Sequence, residues 1–231
     1  MQIHGFQKMT LLDFPGKVAA TVFTAGCNLR CPFCHNALLV TKINPANEIA
    51  RQDIIGYLKK RQRVLDGVCV TGGEPLLSDD IYELLKQIKD LGYLVKLDTN
   101  GCFPDRLRRV VFGGLCDTVA MDIKNSPEHY GETVGIHNFD IAPVIESVEF
   151  LKSGAVDCEF RTTVVPELHT ISDIEKIGRW LEGADRYYLQ AFKDSGDLIG
   201  GEFSAPSEEF MKSLQKTALK YIKKVEIRGI E

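Results

Sequence analysis

Short apolar runs alternate with segments of helical spacing along most of this chain of 231 residues. The runs are rich in β-branched residues, and near-continuous apolar runs of this length are typical of parallel strands that are buried on both faces. Alternation of such strands with helices predicts an α/β fold. The predicted strands are 18–24, 68–71, 94–98, 119–123, 158–165 and 187–192.

Helical spacing is clearest at 81–88 and 144–151, where apolar side chains recur at i, i+3, i+4 and i+7. A closing helix is expected within 206–222 and a last strand at 225–228. Six strand–helix units are fewer than the eight of a complete α/β barrel. The sequence therefore predicts either a partial (β/α)6 barrel or an open curved sheet, mostly parallel in both cases.

The chain shows no repeat or long linker, and its 44% hydrophobic content is enough for a sizeable core, so residues 1–231 are predicted to form a single domain. The net charge of −4 is mild, and basic clusters such as 59–61 and 106–109 are short, so no nucleic-acid partner is expected. No apolar stretch approaches the roughly 20 residues that span a bilayer. The sequence predicts a cytoplasmic protein without a membrane partner.

Seven cysteines are present, and three of them crowd between Cys27 and Cys34. In a reducing compartment such a cluster indicates metal binding or catalysis rather than disulfide bonds. The isolated cysteines are interpreted as small buried hydrophobic residues. These are Cys69, Cys102, Cys116 and Cys158.

The clustered cysteines form a C-x3-C-x2-C loop, Cys27, Cys31 and Cys34, directly after the first strand. Loops at the carboxyl ends of parallel strands carry the functional site in α/β folds. Three thiolates can bind three irons of a cubane and leave the fourth iron without a protein ligand. The alternatives are a zinc site completed by His35 and a ferredoxin-like cluster with a distant fourth cysteine, although the second ligand pair typical of zinc sites is missing.

This loop resembles the signature of the radical S-adenosylmethionine (SAM) superfamily, in which an aromatic residue, here Phe33, precedes the last cysteine. The resemblance implies a 4Fe-4S cluster on Cys27, Cys31 and Cys34, with SAM chelating the open iron and Phe33 near the adenine. It also implies the partial-barrel fold of that superfamily. The expected chemistry is reductive cleavage of SAM to a 5′-deoxyadenosyl radical, which abstracts hydrogen from a substrate.

Gly72, Gly73 and Glu74 follow the second predicted strand. Paired glycines allow a ligand to approach the backbone, and a carboxylate can accept from a cationic amino group. Alone, this turn would be interpreted as a plain strand-to-helix connection. Beside the cysteine loop it resembles the Gly-Gly-Glu motif of the superfamily, which implies binding of the SAM amino group.

Charged residues mark three further strand ends: Asp98, the pair Asp122 and Lys124, and Arg161. Buried charges need partners. SAM and its ribose could supply them, or the four side chains could pair with one another around the barrel mouth. Both interpretations stay open from the sequence.

These positions also resemble the activating enzymes of glycyl radical enzymes, which carry Asp-Thr-Asn-Gly, Asp-x-Lys and then Arg at corresponding strand ends. The resemblance implies cofactor contacts by Asp98, Lys124 and Arg161, and a monovalent cation held by Asp98 and Asp122. Where relatives can present a histidine to the ribose, this chain has Gln190-Ala191-Phe192-Lys193. Gln190 is therefore a predicted contact, with Lys193 as its alternative.

Residues 5–17 and 23–36 resemble the anaerobic ribonucleoside-triphosphate reductase activating protein family. The resemblance implies hydrogen abstraction from a glycine of that reductase, and a low-potential electron donor such as flavodoxin or ferredoxin. A short barrel leaves its cavity open, which suits a protein loop as the substrate. Two alternatives stand beside this prediction: a radical SAM enzyme acting on a small molecule or modified base, and a non-catalytic iron–sulfur or zinc module.

Overall fold

The computed structural model describes residues 1–194 and 196–230. Its strands form one sheet in chain order, in which the first ladder is antiparallel and the others are parallel. The strands are β1 (Ile3–Thr10), β2 (Ala19–Thr24), β3 (Gly67–Gly72), β4 (Leu94–Thr99), β5 (Thr118–Asp122), β6 (Asp157–Val164), β7 (Tyr187–Ala191) and β8 (Val225–Arg228).

Helices connect the parallel strands and bury their apolar faces with them in one continuous core. Within the described residues, no helix combines the length and the apolar character needed to cross a membrane. The helices are α1 (Ala37–Thr41), α2 (Arg51–Lys60), α3 (Ile81–Asp90), α4 (Pro104–Phe112), α5 (Tyr130–Thr133), α6 (Ala142–Lys152), α7 (Ile171–Trp180) and α8 (Glu208–Ala218).

The predicted α/β fold with a mostly parallel sheet is confirmed. The six predicted strands are β2 to β7, the predicted last strand is β8, and the predicted helices are α3, α6 and α8. β1 was not predicted, because its residues include exposed polar side chains and its place in the sheet comes from antiparallel pairing with β2. Among the described residues no ladder joins β1 to β8, so the barrel is open along one side.

The two faces of the central strands differ in polarity. On β4, Val95 and Leu97 are fully buried in the apolar core, whereas Lys96 and Asp98 point to the opposite face. β6 repeats this pattern, with Phe160 in the core and Arg161 on the face that carries Asp98. The sheet therefore packs its outer face against helices and presents a charged inner face, and this inner face carries the site.

Candidate active site

The cysteine loop follows β2 and is held in place by backbone hydrogen bonds to distant segments. The N–H of Gly26 donates to the carbonyl of Leu39 at 2.8 Å, and the N–H of Arg30 donates to the carbonyl of Val134 at 2.9 Å. Leu29 and Phe33 are buried within the loop. A loop without regular structure is thereby fixed at the carboxyl edge of the sheet.

The three clustered cysteines line one cavity of about 140 Å³, which is partly open to solvent. The ends of β3, β4 and β5 form its other walls. Most of the sequence-predicted site residues meet there, namely Cys27, Cys31, Phe33, Cys34, Gly72, Gly73, Asp98, Asp122 and Lys124. The predicted residues Glu74, Arg161 and Gln190 lie outside this lining.

Burial keeps the thiols of Cys27 and Cys31 protonated. Burial raises the pKa of Cys27 to about 11, although the hydrogen bond from the N–H of Leu29 lowers it. Burial also raises the pKa of Cys31 to about 12, although the positive charge of Lys124 lowers it. Binding of iron would therefore release protons from this loop. As they stand, the described residues include no group of three His, Cys, Asp or Glu side chains arranged to hold a single metal ion.

The β3 wall of the cavity is bare backbone. A Cβ on Gly73 would lie 1.9 Å from the carbonyl oxygen of Gly26, and one on Gly72 would lie 2.4 Å from backbone atoms of Thr24. The side-chain amide of Asn36 donates to the carbonyl of Gly72 at 3.0 Å and braces this wall. A ligand can therefore approach the main chain closely here.

Glu74 lies behind that wall with only 2% of its surface exposed. Its Oε1 accepts from the Leu76 N–H and the Thr99 hydroxyl, both at 2.9 Å, and its Oε2 accepts from the Asn100 N–H at 2.7 Å. Burial raises the pKa of Glu74 to about 7 despite these bonds. The carboxylate thus joins the ends of β3 and β4, and its contact with a ligand stays a prediction.

The charged strand ends pair with one another. Arg161 bridges two carboxylates, with Nε 2.9 Å from Oδ1 of Asp122 and a terminal nitrogen 3.1 Å from Oδ2 of Asp98. Lys124 lies 3.1 Å from Oδ2 of Asp122, and Lys96 pairs with Oδ1 of Asp98. Lys96, Lys124 and Arg161 are thus each paired with one or both of these carboxylates. The monovalent cation predicted at Asp98 and Asp122 stays a prediction.

These pairs hold both carboxylates ionised. Burial opposes ionisation of Asp122, but Arg161 and Lys124 outweigh it and lower its pKa to about 2. The pKa of Asp98 is also lowered, because Arg161 and Lys96 outweigh burial. Burial likewise opposes the charge on Lys124, yet Asp122 raises the pKa of that amine. Asp98, Asp122, Lys124 and Arg161 are therefore ionised at neutral pH.

A second cavity of about 520 Å³ lies along the inner face, and Asp98 lines both cavities. Arg161 and Gln190 are found here rather than beside the cysteines. At its outer end lies the β1–β2 loop, where Leu11 and Leu12 are 67% and 87% exposed. The charged inner face therefore extends from the cysteine cavity to an apolar rim.

The segment after β7 contacts the cysteine loop. The His35 ring stacks on Phe192 with centroids 5.2 Å apart, and its Nε2 lies 2.7 Å from the carbonyl oxygen of Lys193. Lys193, the alternative to Gln190, is thus placed against the cysteine loop through its main chain.

Several residues of the site were missed from the sequence. Lys96 and Glu159 lie two positions before Asp98 and Arg161, and period-two alternation along a strand would have assigned them to the same face. Glu159 binds Arg228 through two bonds of 3.1 and 3.0 Å. Asn36 and Asn100 belong to the quoted motifs, but nothing else in the sequence indicated that their side chains would contact the site.

Comparison with known proteins extends these observations. The sequence model described as the radical SAM superfamily matches residues 21–181. The Methanocaldococcus jannaschii protein MJ1227, whose name places it among the glycyl-radical enzyme activating enzymes, is 33% identical over 99% of this chain and 96% of its own length. The chain belongs to the radical SAM superfamily, among the glycyl-radical enzyme activating enzymes. The predicted family and enzyme class are thereby confirmed.

Two further similarities agree with this membership. The pyruvate formate-lyase-activating enzyme of Listeria monocytogenes is 32% identical over 71% of this chain and 69% of its own length. The crystal structure of Streptococcus suis SuiB bound to S-adenosylmethionine has a TM-score of 0.72 at 14% identity, covering 90% of this chain and 49% of that chain. At that identity SuiB supports the radical SAM fold alone.

A 4Fe-4S cluster and SAM are the cofactors of this superfamily, and the cavity fits them. Three thiols on one loop suit a cubane with one open iron. Gly72 and Gly73 line the cavity without side chains, so this wall presents main-chain atoms to a ligand. Lys124, which lines this cavity, is a cation that suits a ligand carrying a carboxylate.

Proposed function

We propose that this chain activates an anaerobic ribonucleoside-triphosphate reductase by abstracting a hydrogen atom from one of its glycines. The observation that carries the proposal is the single cavity in which three thiols, a glycine wall and charged strand ends meet. The resemblance of residues 5–17 and 23–36 to the activators of that reductase supports the choice of partner. The continuous sheet from β1 to β8 supports one radical SAM domain over 1–231.

In this proposal Cys27, Cys31 and Cys34 hold the cluster on the fixed loop after β2. The main chain at Gly72 and Gly73 contacts the amino end of SAM, and Glu74 is assigned to the same amino group. When bound, the reduced cluster would supply one electron to the sulfonium of SAM, whose cleavage would yield methionine and a 5′-deoxyadenosyl radical. The protein's task is to orient these groups and to keep competing reactants out.

The remaining contacts are assigned to the charged inner face. Asp98 and Lys124 line the cavity and receive the polar groups of SAM, while Phe33 packs near the adenine. Arg161 holds Asp98 and Asp122 ionised and in position. Gln190, on the neighbouring part of the inner face, is assigned to the ribose.

The second cavity is the proposed route for the glycine of the partner. It meets the cysteine cavity at Asp98 and opens beside Leu11 and Leu12. A backbone loop of the reductase could pass the apolar rim and place its glycine beside the cofactor. Abstraction of an α-hydrogen leaves a radical on that glycine and yields 5′-deoxyadenosine.

A reducing cytoplasm is the proposed setting. All seven cysteines are free thiols in the structure, as cluster assembly requires. The electron would come from a low-potential carrier such as reduced flavodoxin or ferredoxin.

The test is anaerobic. The reconstituted protein is reduced and mixed with SAM and either the reductase, a reductase variant with its radical glycine changed to alanine, or pyruvate formate-lyase. Of the three partners, we expect only the unmodified reductase to give both 5′-deoxyadenosine and a glycyl signal in electron paramagnetic resonance (EPR). A signal only with pyruvate formate-lyase would overturn the choice of partner. SAM cleavage without any partner radical would favour a small molecule or modified base as the substrate.

A further inference from the structure

The side chain of Asn100 lies against the sulfur of Cys27. Its amide nitrogen is 3.7 Å from Sγ, and the N–H of Leu29 donates to the same sulfur at 3.4 Å. We infer that Asn100 is a positioning residue that holds an N–H donor on Cys27 and thereby sets the reduction potential of the cluster. The inference rests on the proposed ligation of the cluster by Cys27.

The orientation of the Asn100 amide is fixed by its neighbours. The backbone N–H of Cys102 donates to Oδ1 at 3.0 Å, so this end of the amide must be the oxygen. The nitrogen end then donates to Oδ1 of Asn28 at 2.9 Å and faces Cys27. A flipped amide would place an oxygen against both the sulfur and the Asn28 oxygen.

Asn100 is also anchored through its main chain. It is 6% exposed, and its N–H donates to Oε2 of Glu74 at 2.7 Å. The next residue, Gly101, accepts from the hydroxyl of Ser147 at 2.7 Å. Glu74 on the β3 side and Ser147 on α6 therefore brace the turn that presents the amide to Cys27.

The three cysteines of the loop differ in the number of N–H groups that donate to their sulfur atoms. Across 1–194 and 196–230, hydrogen bonds from N–H groups to sulfur reach Cys27 but neither Cys31 nor Cys34. Reduction of a cluster adds negative charge, part of which resides on its thiolates. Because an N–H donor stabilises that charge, donors at Cys27 favour the reduced cluster and raise its potential.

The test is a redox titration of the reconstituted holoenzyme without SAM, using dithionite and reading the reduced cluster by EPR. Asn100→Ala removes the donor and is expected to lower the reduced-to-oxidised ratio at a fixed potential three- to tenfold. For a one-electron couple this corresponds to about 30–60 mV. Asn100→Asp keeps the shape but places a carboxylate oxygen at the sulfur, so its potential should be lower still.

Asn36→Ala is the matched control. Asn36 lines the same cavity, but its amide donates to the carbonyl of Gly72 and not to a sulfur. Its loss should leave the potential of the cluster unchanged. Iron and sulfide are measured in every variant, and EPR reads only clusters that have assembled. If Asn100→Ala loads poorly, Asn100→Ser provides the same readout with a smaller polar side chain.

The outcomes separate the inference from the proposed function. Lowered potentials in both Asn100 variants beside an unchanged Asn36→Ala would support the inference. Equal potentials in all variants, or loss of the cluster from every Asn100 variant with normal loading of Asn36→Ala, would overturn it in favour of a structural role. A wild-type protein without a 4Fe-4S signal would contradict the proposed function itself.

Discussion

At the scale of single residues, Gly73 shows how closely the backbone packs behind the candidate active site. A Cβ there would lie 1.9 Å from the Gly26 carbonyl oxygen, which belongs to the cysteine loop. Gly73→Ala must therefore displace main chain. We expect the free energy of unfolding to fall by about 1–3 kcal/mol, as for other overpacked sites, and SAM affinity to fall with it. Urea unfolding and calorimetric titration measure the two effects.

Gly56→Ala provides the control for the same chemical change. Gly56 lies within α2, and a Cβ built there meets nothing within 4 Å. Since glycine weakens a helix, this substitution should raise the free energy of unfolding by roughly 0.5–1 kcal/mol. Similar changes in the two variants would contradict the close approach at Gly73.

Glu74 predicts a pH dependence of stability. Its pKa of about 7 in the folded apo protein exceeds its ordinary value of 4.5, so the folded state binds a proton that the unfolded state has lost. The stability from this proton is complete below pH 4.5 and is lost as the pH rises to about 7 and beyond. The shift corresponds to roughly 3 kcal/mol. Urea unfolding of the apo protein from pH 4.5 to 8 measures it.

Glu74→Gln cannot titrate and serves as the reference. Relative to this variant, wild-type stability should decline across that pH window. Two profiles that run parallel would show that the Glu74 carboxyl has an ordinary pKa in the folded state.

The same residue shows what the sequence could predict of the site. Its position after Gly72 and Gly73 was enough to select Glu74. The direction of its carboxylate was not predictable, because it depends on the end of β4, which is remote in sequence and supplies Thr99 and Asn100 as donors. The pairing of Arg161 with two aspartates likewise required three strands to be placed side by side.

At the scale of elements, the β1–β2 loop tests the proposed partner route. Leu12 is 87% exposed at the rim of the second cavity, so Leu12→Asp should have little effect on folding. A charge at an apolar rim would weaken docking of the partner loop. We expect at least a fivefold drop in glycyl radical formation, while the affinity for SAM, measured by calorimetric titration, is unchanged.

Leu219→Asp is the matched control for that experiment. Leu219 is 47% exposed and lies outside the linings of both cavities. Radical formation should be close to that of the wild type. Equal losses in both variants would indicate a general effect of surface charge rather than a docking route.

The elements differed in how well the sequence predicted them. β2 to β7 were predictable because each contains a short run of buried apolar residues, many of them β-branched. β1 was not, since it is an edge strand with exposed side chains and contains no such run. Lys96 is buried on β4 and interrupts the apolar pattern of that strand. The sequence did not show that Asp98 would be its partner.

At the scale of the whole molecule, the order of the strands explains why one end of the sheet can perform radical chemistry. Parallel pairing from β2 to β5 brings the cysteine loop, the glycine wall and the charged strand ends to one edge. The open side between β1 and β8 leaves the charged inner face accessible. The proposed cofactor site and the proposed substrate route are thus parts of one surface.

The most direct test of this account follows the hydrogen atom. The reductase is produced with glycine deuterated at its α-carbon and mixed anaerobically with this protein, SAM and a reductant, and the 5′-deoxyadenosine is analysed by mass spectrometry. The account predicts one deuterium in the product and a glycyl radical on the partner. Product without deuterium, formed at a normal rate by a protein with an intact cluster, would contradict abstraction from a partner glycine.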